Sequence, residues 1–457
     1  MGWIQRHIRR TAAAGLALMT GAALLATTPA AAADGMRAAC DEILAEAWNG
    51  INNGVVATPN GVRSNVLSDI EPGLDNPNQP AWHPSGEYVL FTAKLGDSFR
   101  DRVDVLATAA VDGSERRIFS LDIELDDRAD LRDPAWSPDG SRLALAVEDA
   151  PGDRLLTADA DGTNAAFVEF DLPGTIEFPR GPAWSPDGTR IASSVIIDGD
   201  QHIVVSDPDG SNAIAISAVG VDPPTGNGNP AWSPDGSRIV WNGRQGFFSS
   251  ELFVADADGS NRALITDDGV DPTDNAGATW SPDGSRIAWR GTVDSTRVIL
   301  TSAPDGSDRT DVSSTGDLPS LDVSVPRWSH DGTKLLWEAG IMADGPEIDL
   351  VAVIVADADG SDRVDIRVNL NEDPDRLRLS NARWSPVDDS ILWSYNSRYF
   401  VSDDDGSDRV LITDDAGLIG VEEIRWSPDG ETILATGTMN GVEAIVLLRA
   451  DGTVLWS

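Results

Sequence analysis

Lysine is almost missing from this 457-residue chain: Lys94 and Lys334 are the only two, and cysteine occurs once, at Cys40. A single thiol excludes an intrachain disulfide. Arg37-Ala38-Ala39 ahead of Cys40 is not the leucine-rich box of a lipoprotein, so Cys40 reads as a small buried hydrophobe. Past the first 33 residues histidine is confined to His83, His202 and His330, too scattered for a catalytic triad or a His-rich metal centre. No G-x-S-x-G stretch occurs, so the nucleophile elbow of a serine hydrolase is missing. Positive charge is scarce as well: 34 Lys+Arg stand against 75 Asp+Glu, a net charge of −41. Nucleic acid is excluded as a partner, because phosphate recognition needs clustered cations, and an anionic membrane surface would repel the chain. Beyond the N-terminal segment no apolar run approaches the roughly 18 residues of a membrane span.

What is present begins with a leader. Arg6, Arg9 and Arg10 precede an apolar run from Ala12 to Ala26, and small residues follow to Ala33. This is the order of a secretory signal, and cleavage is expected near Ala33, with residues 1–33 removed. The expected location is therefore outside the cytoplasm: extracellular, periplasmic or attached to the envelope. Met36, Cys40, Ile43, Leu44 and Trp48 fall at helical spacing and Gly50 follows them, so residues 34–54 are expected to form a short helix and linker.

The rest of the chain, 55–457, is repetitive. Trp82, Trp136, Trp184, Trp232, Trp280, Trp328, Trp384 and Trp426 open near-identical units, mostly 48 residues apart, and the commonest reading is that of Trp184-Ser185-Pro186-Asp187-Gly188. Ser, Pro, Asp and Gly in that order match a type I turn. A short apolar strand follows, such as Arg238-Ile239-Val240-Trp241, then a second, Glu251-Leu252-Phe253-Val254-Ala255. An Asp-Gly hairpin, Asp258-Gly259, leads into a last strand, Arg262-Ala263-Leu264-Ile265-Thr266. Four short strands cannot cover both faces of their own sheet. Stacking the copies around an axis does so, which predicts an all-β fold: a single β-propeller of about eight four-stranded blades, seven being the alternative. The tryptophans then pack between adjacent sheets. The seventh unit, Ser385-Pro386-Val387-Asp388-Asp389, has no glycine, so its turn must differ. Residues 55–67 resemble the closing half of a blade that could latch the ring, although the last unit also looks complete in itself.

The W-S-P-D-G strand and D-G-S-N hairpin resemble the WD40-like (PD40) repeat of TolB-type propellers, and related blades occur in prolyl-oligopeptidase-type proteases. The resemblance runs from Val55 to the C terminus and implies the fold. The matching residues are turn and packing positions, so it implies little about function. The α/β domain of TolB-type proteins is not matched ahead of Val55, and their role in envelope transport is not carried over.

Two sets of acidic residues are candidate sites. The D-x-D-G-S-[N/D] loops carry Asp159 and Asp161, Asp207 and Asp209, Asp256 and Asp258, Asp357 and Asp359, and likewise Asp403 and Asp405. They echo calcium loops but lack the third acid before glycine and the closing glutamate, so Asx-stabilised hairpins are the first reading and weak Ca2+ binding the second. The loops between blades carry Asp267, Asp268, Asp271 and Asp274, and Asp414, Asp415, Glu422 and Glu423. Gathered at the channel mouth, these carboxylates would focus negative potential on a cationic protein segment, a small ligand or a hydrated ion. The expected function is a monomeric, non-catalytic scaffold without a cofactor, binding an envelope or extracellular protein or a small ligand. The alternatives are a carbohydrate-active propeller using paired channel carboxylates and a calcium-stabilised envelope protein.

Overall fold

The computed structural model describes residues 74–450, leaving out the stretches 96–102, 112–116, 120, 126–128, 150–151, 219–224, 245–249, 267–272, 295, 314–319, 342–349, 370–378, 396–397, 413–417 and 440–441. The expected leader, the short helix and the latch segment 55–67 lie outside the described residues. Among those described, no helix is long and apolar enough to cross a membrane.

The chain forms eight antiparallel sheets in sequence order; in seven of them every described strand pairs with the next, and in the sixth both pieces of a split inner strand pair with the second strand. The fourth blade is typical: Thr225–Trp232, Arg238–Arg244, Ser250–Asp256 and Ala263–Leu264. The first strand of each blade neighbours the first strands of adjacent blades, so it lies nearest the axis. The last blade shows three strands among the described residues, Leu418–Trp426, Thr432–Met439 and Val442–Arg449.

The sheets assemble because their strands are apolar on both faces. Every buried cluster among the described residues is shared by two neighbouring blades. Ala192, Ile203 and Val205 of the third blade meet Ile239, Trp241 and Phe253 of the fourth. Each such side chain, fully buried, contributes about 1.5–3 kcal/mol, and only a neighbour can bury it. The circle closes in the same way. Leu434, Ile445 and Leu447 of the eighth blade pack with Val89, Phe91 and Val105 of the first.

The turns repeat the closure. In blade three the Gly188 N–H donates to the Ser185 carbonyl at 2.8 Å, and Asp187 Oδ1 accepts from Ser185 Oγ at 2.6 Å and from the Thr189 N–H at 3.0 Å. Gly188 sits at φ +69°, a left-handed conformation that suits glycine. A β-carbon there would touch Pro138 of the preceding turn at 3.7 Å, and one on Gly86 would touch Pro428 of the last turn at 3.8 Å. Blade one thus sits on blade eight as blade three sits on blade two. The glycine-free seventh turn does differ: Asp388 takes the acceptor role for the Ser390 N–H at 3.0 Å, and Val387 stays exposed.

The tryptophans lie between blades as expected, and they also donate. Trp184, Trp232, Trp280, Trp328 and Trp384 each send the indole N–H to the carbonyl just before the previous blade's tryptophan, at 3.0–3.2 Å. Three residues before the tryptophan the inner strand bulges through a left-handed residue: Asp133, Gly181, Asn229 and Gly277, with φ from 52° to 65°. Blade six has β-branched Val325 there, which resists that conformation, and its inner strand is split into Ser320–Val323 and Arg327–Trp328.

Candidate functional site

The D-x-D-G-S hairpins hold their aspartates in local bonds. Asp161 Oδ1 accepts from the Thr163 N–H at 3.0 Å and from its hydroxyl at 2.5 Å, while Asp159 Oδ2 accepts from Asn164 Nδ2 at 2.6 Å. Asp207 and Asp209 do the same with Ser211 and Asn212, and Asp256 and Asp258 with Ser260 and Asn261. In the sixth blade Asp359 and Asp357 accept from Ser361. The serine hydroxyl and N–H hold the carboxyls of Asp209, Asp258 and Asp359 below the usual carboxylate range. The asparagine closing the loop has a backbone reason as well: Asn164, Asn212 and Asn261 adopt φ near +51°, which short polar side chains tolerate. Among the described residues no group of three or more His, Cys, Asp or Glu side chains gathers as a metal cluster.

The histidines are likewise apart. His83 lies between the turns of blades one and two, its Nε2 3.0 Å from the Gly140 carbonyl oxygen and its ring edge-on to Trp136. His202 Nδ1 is 3.2 Å from Ser217 Oγ, and burial pushes its pKa down. His330 faces Asp389 of the seventh turn at 3.9 Å.

Of the acidic residues expected at the channel mouth, Asp267, Asp268, Asp271, Asp414 and Asp415 lie outside the described residues. Asp274 stands on the inner strand Thr273–Trp280, and Glu422 and Glu423 stand on Leu418–Trp426, placing all three on axial strands.

A charged cavity among the described residues lies on blades two and three. A cavity of about 120 Å³ is lined by Arg132, Asp133, Ala146, Val147, Glu148, Asp153 and Arg180. The blade-two hairpin pairs Glu148 directly opposite Asp153, and two like charges so placed repel each other. Two inner strands supply the neutralising cations. Arg132 Nη2 reaches Glu148 at 2.7 Å and Asp130 at 2.6 Å, and Arg180 Nη2 reaches Asp153 at 3.1 Å. The bond to Asp130 raises the Arg132 pKa further. The side chains of Arg132 and Arg180 are 41% and 59% exposed, so each holds a protein carboxylate while remaining open to solvent. Partly exposed ion pairs of this kind are weak, so an incoming charged group can exchange with them. Chemically, the arrangement recognises charge.

Sequence reasoning missed Arg132 and Arg180. Their signal was present: both stand four residues before a repeat tryptophan, Trp136 and Trp184. It also missed Asn227 and Asn275, fully buried on inner strands. Asn275 Oδ1 accepts from Trp289 Nε1 at 3.0 Å, and its Nδ2 donates to the Ser250 carbonyl of the preceding blade at 2.9 Å. These amides rigidify the wall of the channel.

Residues 148–347 match the family model of the TolB beta propeller domain. Among solved structures, oligogalacturonate lyase from Vibrio parahaemolyticus is 12% identical with a TM-score of 0.50, over 79% of this chain and 96% of that one. An oligogalacturonate lyase in complex with manganese is 14% identical with the same TM-score and the same shares. TolB from Acinetobacter baumannii is 19% identical with a TM-score of 0.36, over 63% of this chain. The present chain spans 62% of the length of that TolB. No curated protein sequence matches. At these identities the likeness to solved structures is one of fold.

Proposed function

Since the chain is a β-propeller whose residues 148–347 match the TolB beta propeller domain, we propose that it works as an exported, non-catalytic scaffold whose channel mouth binds a protein segment or small ligand. The leader-like N terminus, with Arg6, Arg9 and Arg10 ahead of the apolar run to Ala26, supports export. The observation that carries the binding role is the blade-two and blade-three cavity. Its cations come from two inner strands and its carboxylates from one hairpin, each pair closed on itself and open to solvent. A rigid ring holds these charges at fixed spacing, so a complementary partner meets them without loop ordering. The mouth carboxylates Asp267, Asp268, Asp271, Asp274, Asp414, Asp415, Glu422 and Glu423 would extend this surface toward cationic segments, as a net charge of −41 favours. No metal is required for this role, and the protein acts as a monomer.

The test is capture of envelope-fraction proteins by the purified full-length chain, with and without chelator, beside the E148Q/D153N and D271N/D274N variants. A partner retained by the wild type in chelator and lost or weakened severalfold by either variant supports the reading. Equal retention by all three forms overturns the mouth assignment. Turnover of an acidic polysaccharide by the purified protein overturns the non-catalytic role.

A further inference from the structure

Seven seams between blades share one residue that the repeat places at a fixed distance. Six positions after the hairpin glycine, on or just past the outer strand, stands an apolar side chain at most 7% exposed. It is Phe119, Val168, Ile216 and Ile265 in blades one to four, and Val312, Ile366 and Ile412 in blades five to seven. Each is buried with side chains of the next blade. Ile216 lies with Ile239 and Trp241, Ile265 with Trp280 and Ile287, and Ile412 with Ile424 and Ile433. In the seam between blades eight and one, the described members from blade eight are Leu434, Ile445 and Leu447, on its second and third strands.

Backbone bonds fix this anchor. The N–H groups of Val168, Ile265, Val312 and Ile412 donate to third-strand carbonyls of their own blades, those of Leu155, Leu252, Ile299 and Tyr399, at 2.8–3.0 Å. Each of those carbonyls stands seven positions before the hairpin glycine. The residue after the anchor returns the bond. Ser217, Thr266 and Ser313 follow their anchors directly, and their hydroxyl oxygens accept from the N–H groups of Ile203, Leu252 and Ile299 at 3.0–3.2 Å. A glycine, an apolar residue six places on and then a hydroxyl thus mark an outer strand. Gly61, Leu67 and Ser68 fit that pattern. The distance onward fits as well. From the seven anchors to the start of the next inner strand is 6 to 13 positions, and from Leu67 to Leu74, where blade one begins, is 7. After Gly452 the pair Trp456-Ser457 comes two positions too early.

We propose that residues 62–67 are the outer strand of blade eight, with Leu67 the anchor of the seam between blades eight and one. They lie beside Val442–Arg449, the outermost strand described in that blade. The other blades set the register. There the residue five past the glycine pairs with the residue six before it, as Leu264 pairs with Phe253 and Ala215 with Val204. Val66 then stands opposite Val446, the Leu67 N–H donates to the Ile445 carbonyl, and Ser68 Oγ accepts from the Ile445 N–H. The Leu67 side chain enters the cluster of Leu434, Leu447, Val89 and Phe91, and burial of apolar surface drives the docking. A strand that precedes blade one in sequence thus holds it to blade eight, and all eight seams carry the same anchor. This closure is separate from the binding role proposed above, and neither rests on the other.

The experiment is disulfide trapping in the full-length protein carrying C40S, which removes its single thiol. Under mild oxidation V66C/V446C should form an intramolecular disulfide, read by mass spectrometry of the digested protein. V66C/V442C, displaced by four residues and so by about 13 Å along the same strand, should stay reduced. Denaturant midpoints give a second reading. L67A should lower the midpoint about as far as I265A does at an ordinary seam, and W456A should leave it near that of the wild type. S68A should speed hydrogen exchange at the Ile445 amide severalfold. Should L67A fail to fold, the trapping result still decides. The proposal fails if V66C/V446C is trapped no better than V66C/V442C. It fails equally if W456A lowers the midpoint and L67A does not. Oxidation of W456C/L447C in place of V66C/V446C would give the outer strand to residues 453–457 and overturn it.

Discussion

Gly210 in the third-blade hairpin lies so close to Glu169, in the connection after the second blade, that a β-carbon would stand 2.2 Å from the Glu169 carbonyl oxygen. The contact is cemented by the Asp171 N–H, which donates to the Gly210 carbonyl at 3.2 Å. This outer hairpin is therefore a fitted part of the ring as well as a turn.

Two glycines separate fit from conformation. Gly210 and Gly199 share a left-handed backbone, at φ +88° and +92°, but open space surrounds Gly199. Gly199→Ala should lower stability by about 1 kcal/mol, the conformational cost alone. Gly210→Ala adds a backbone clash and should cost about 3 kcal/mol. Chemical denaturation of both variants checks the difference, and equal losses would deny the contact.

The tryptophan ladder gives a second contrast. Trp184 Nε1 has the Ala135 carbonyl at 3.1 Å, whereas Trp136 Nε1 is buried without a hydrogen-bond partner among the described residues. Both lose similar apolar area on change to phenylalanine. Trp184→Phe should therefore be the more destabilising by about 1 kcal/mol, the net worth of one hydrogen bond. Denaturant midpoints read this directly.

Acid should loosen the turns. Hydrogen bonds from the neighbouring Ser and Thr hydroxyls and N–H groups hold Asp139, Asp187, Asp235 and Asp331 at about 2, below the ordinary 3.8. A depressed folded-state pKa means stability that is fully present above the ordinary value. It is lost as pH falls from there through about 2. The melting temperature should drop over that window, and D187N/D235N should flatten the drop while lowering stability at neutral pH.

Calcium should leave the hairpins unchanged. The carboxylates of Asp161, Asp209 and Asp258 already accept from their own loops. Melting curves in millimolar calcium and in chelator should coincide. A rise with calcium that D161N/D209N abolishes would restore the metal reading of these loops.

The repeat could be read from the chain because its logic is local. Ser185, Pro186, Asp187 and Gly188 build their turn from four neighbouring residues, and the missing glycine after Val387 correctly foretold a different turn. Asn164 was legible as a loop residue, but its left-handed backbone was hidden behind the echo of a calcium loop. Arg132 and Arg180 were passed over because a lone arginine in a strand says nothing until the hairpin opposite it is known. Glu148 and Asp153 become a pair only when the strands align.

From its residues alone, this chain could be assigned to a circle of β-sheets, since apolar strands of four to eight residues leave both faces of every sheet uncovered unless another copy covers them. Only the folded ring decided which charges meet. Lys334 and Asp404 are 70 positions apart in sequence yet form an ion pair, and Arg180 reaches a carboxylate of the preceding blade. Electrostatic energy depends on separation through space, and closing the ring sets those separations.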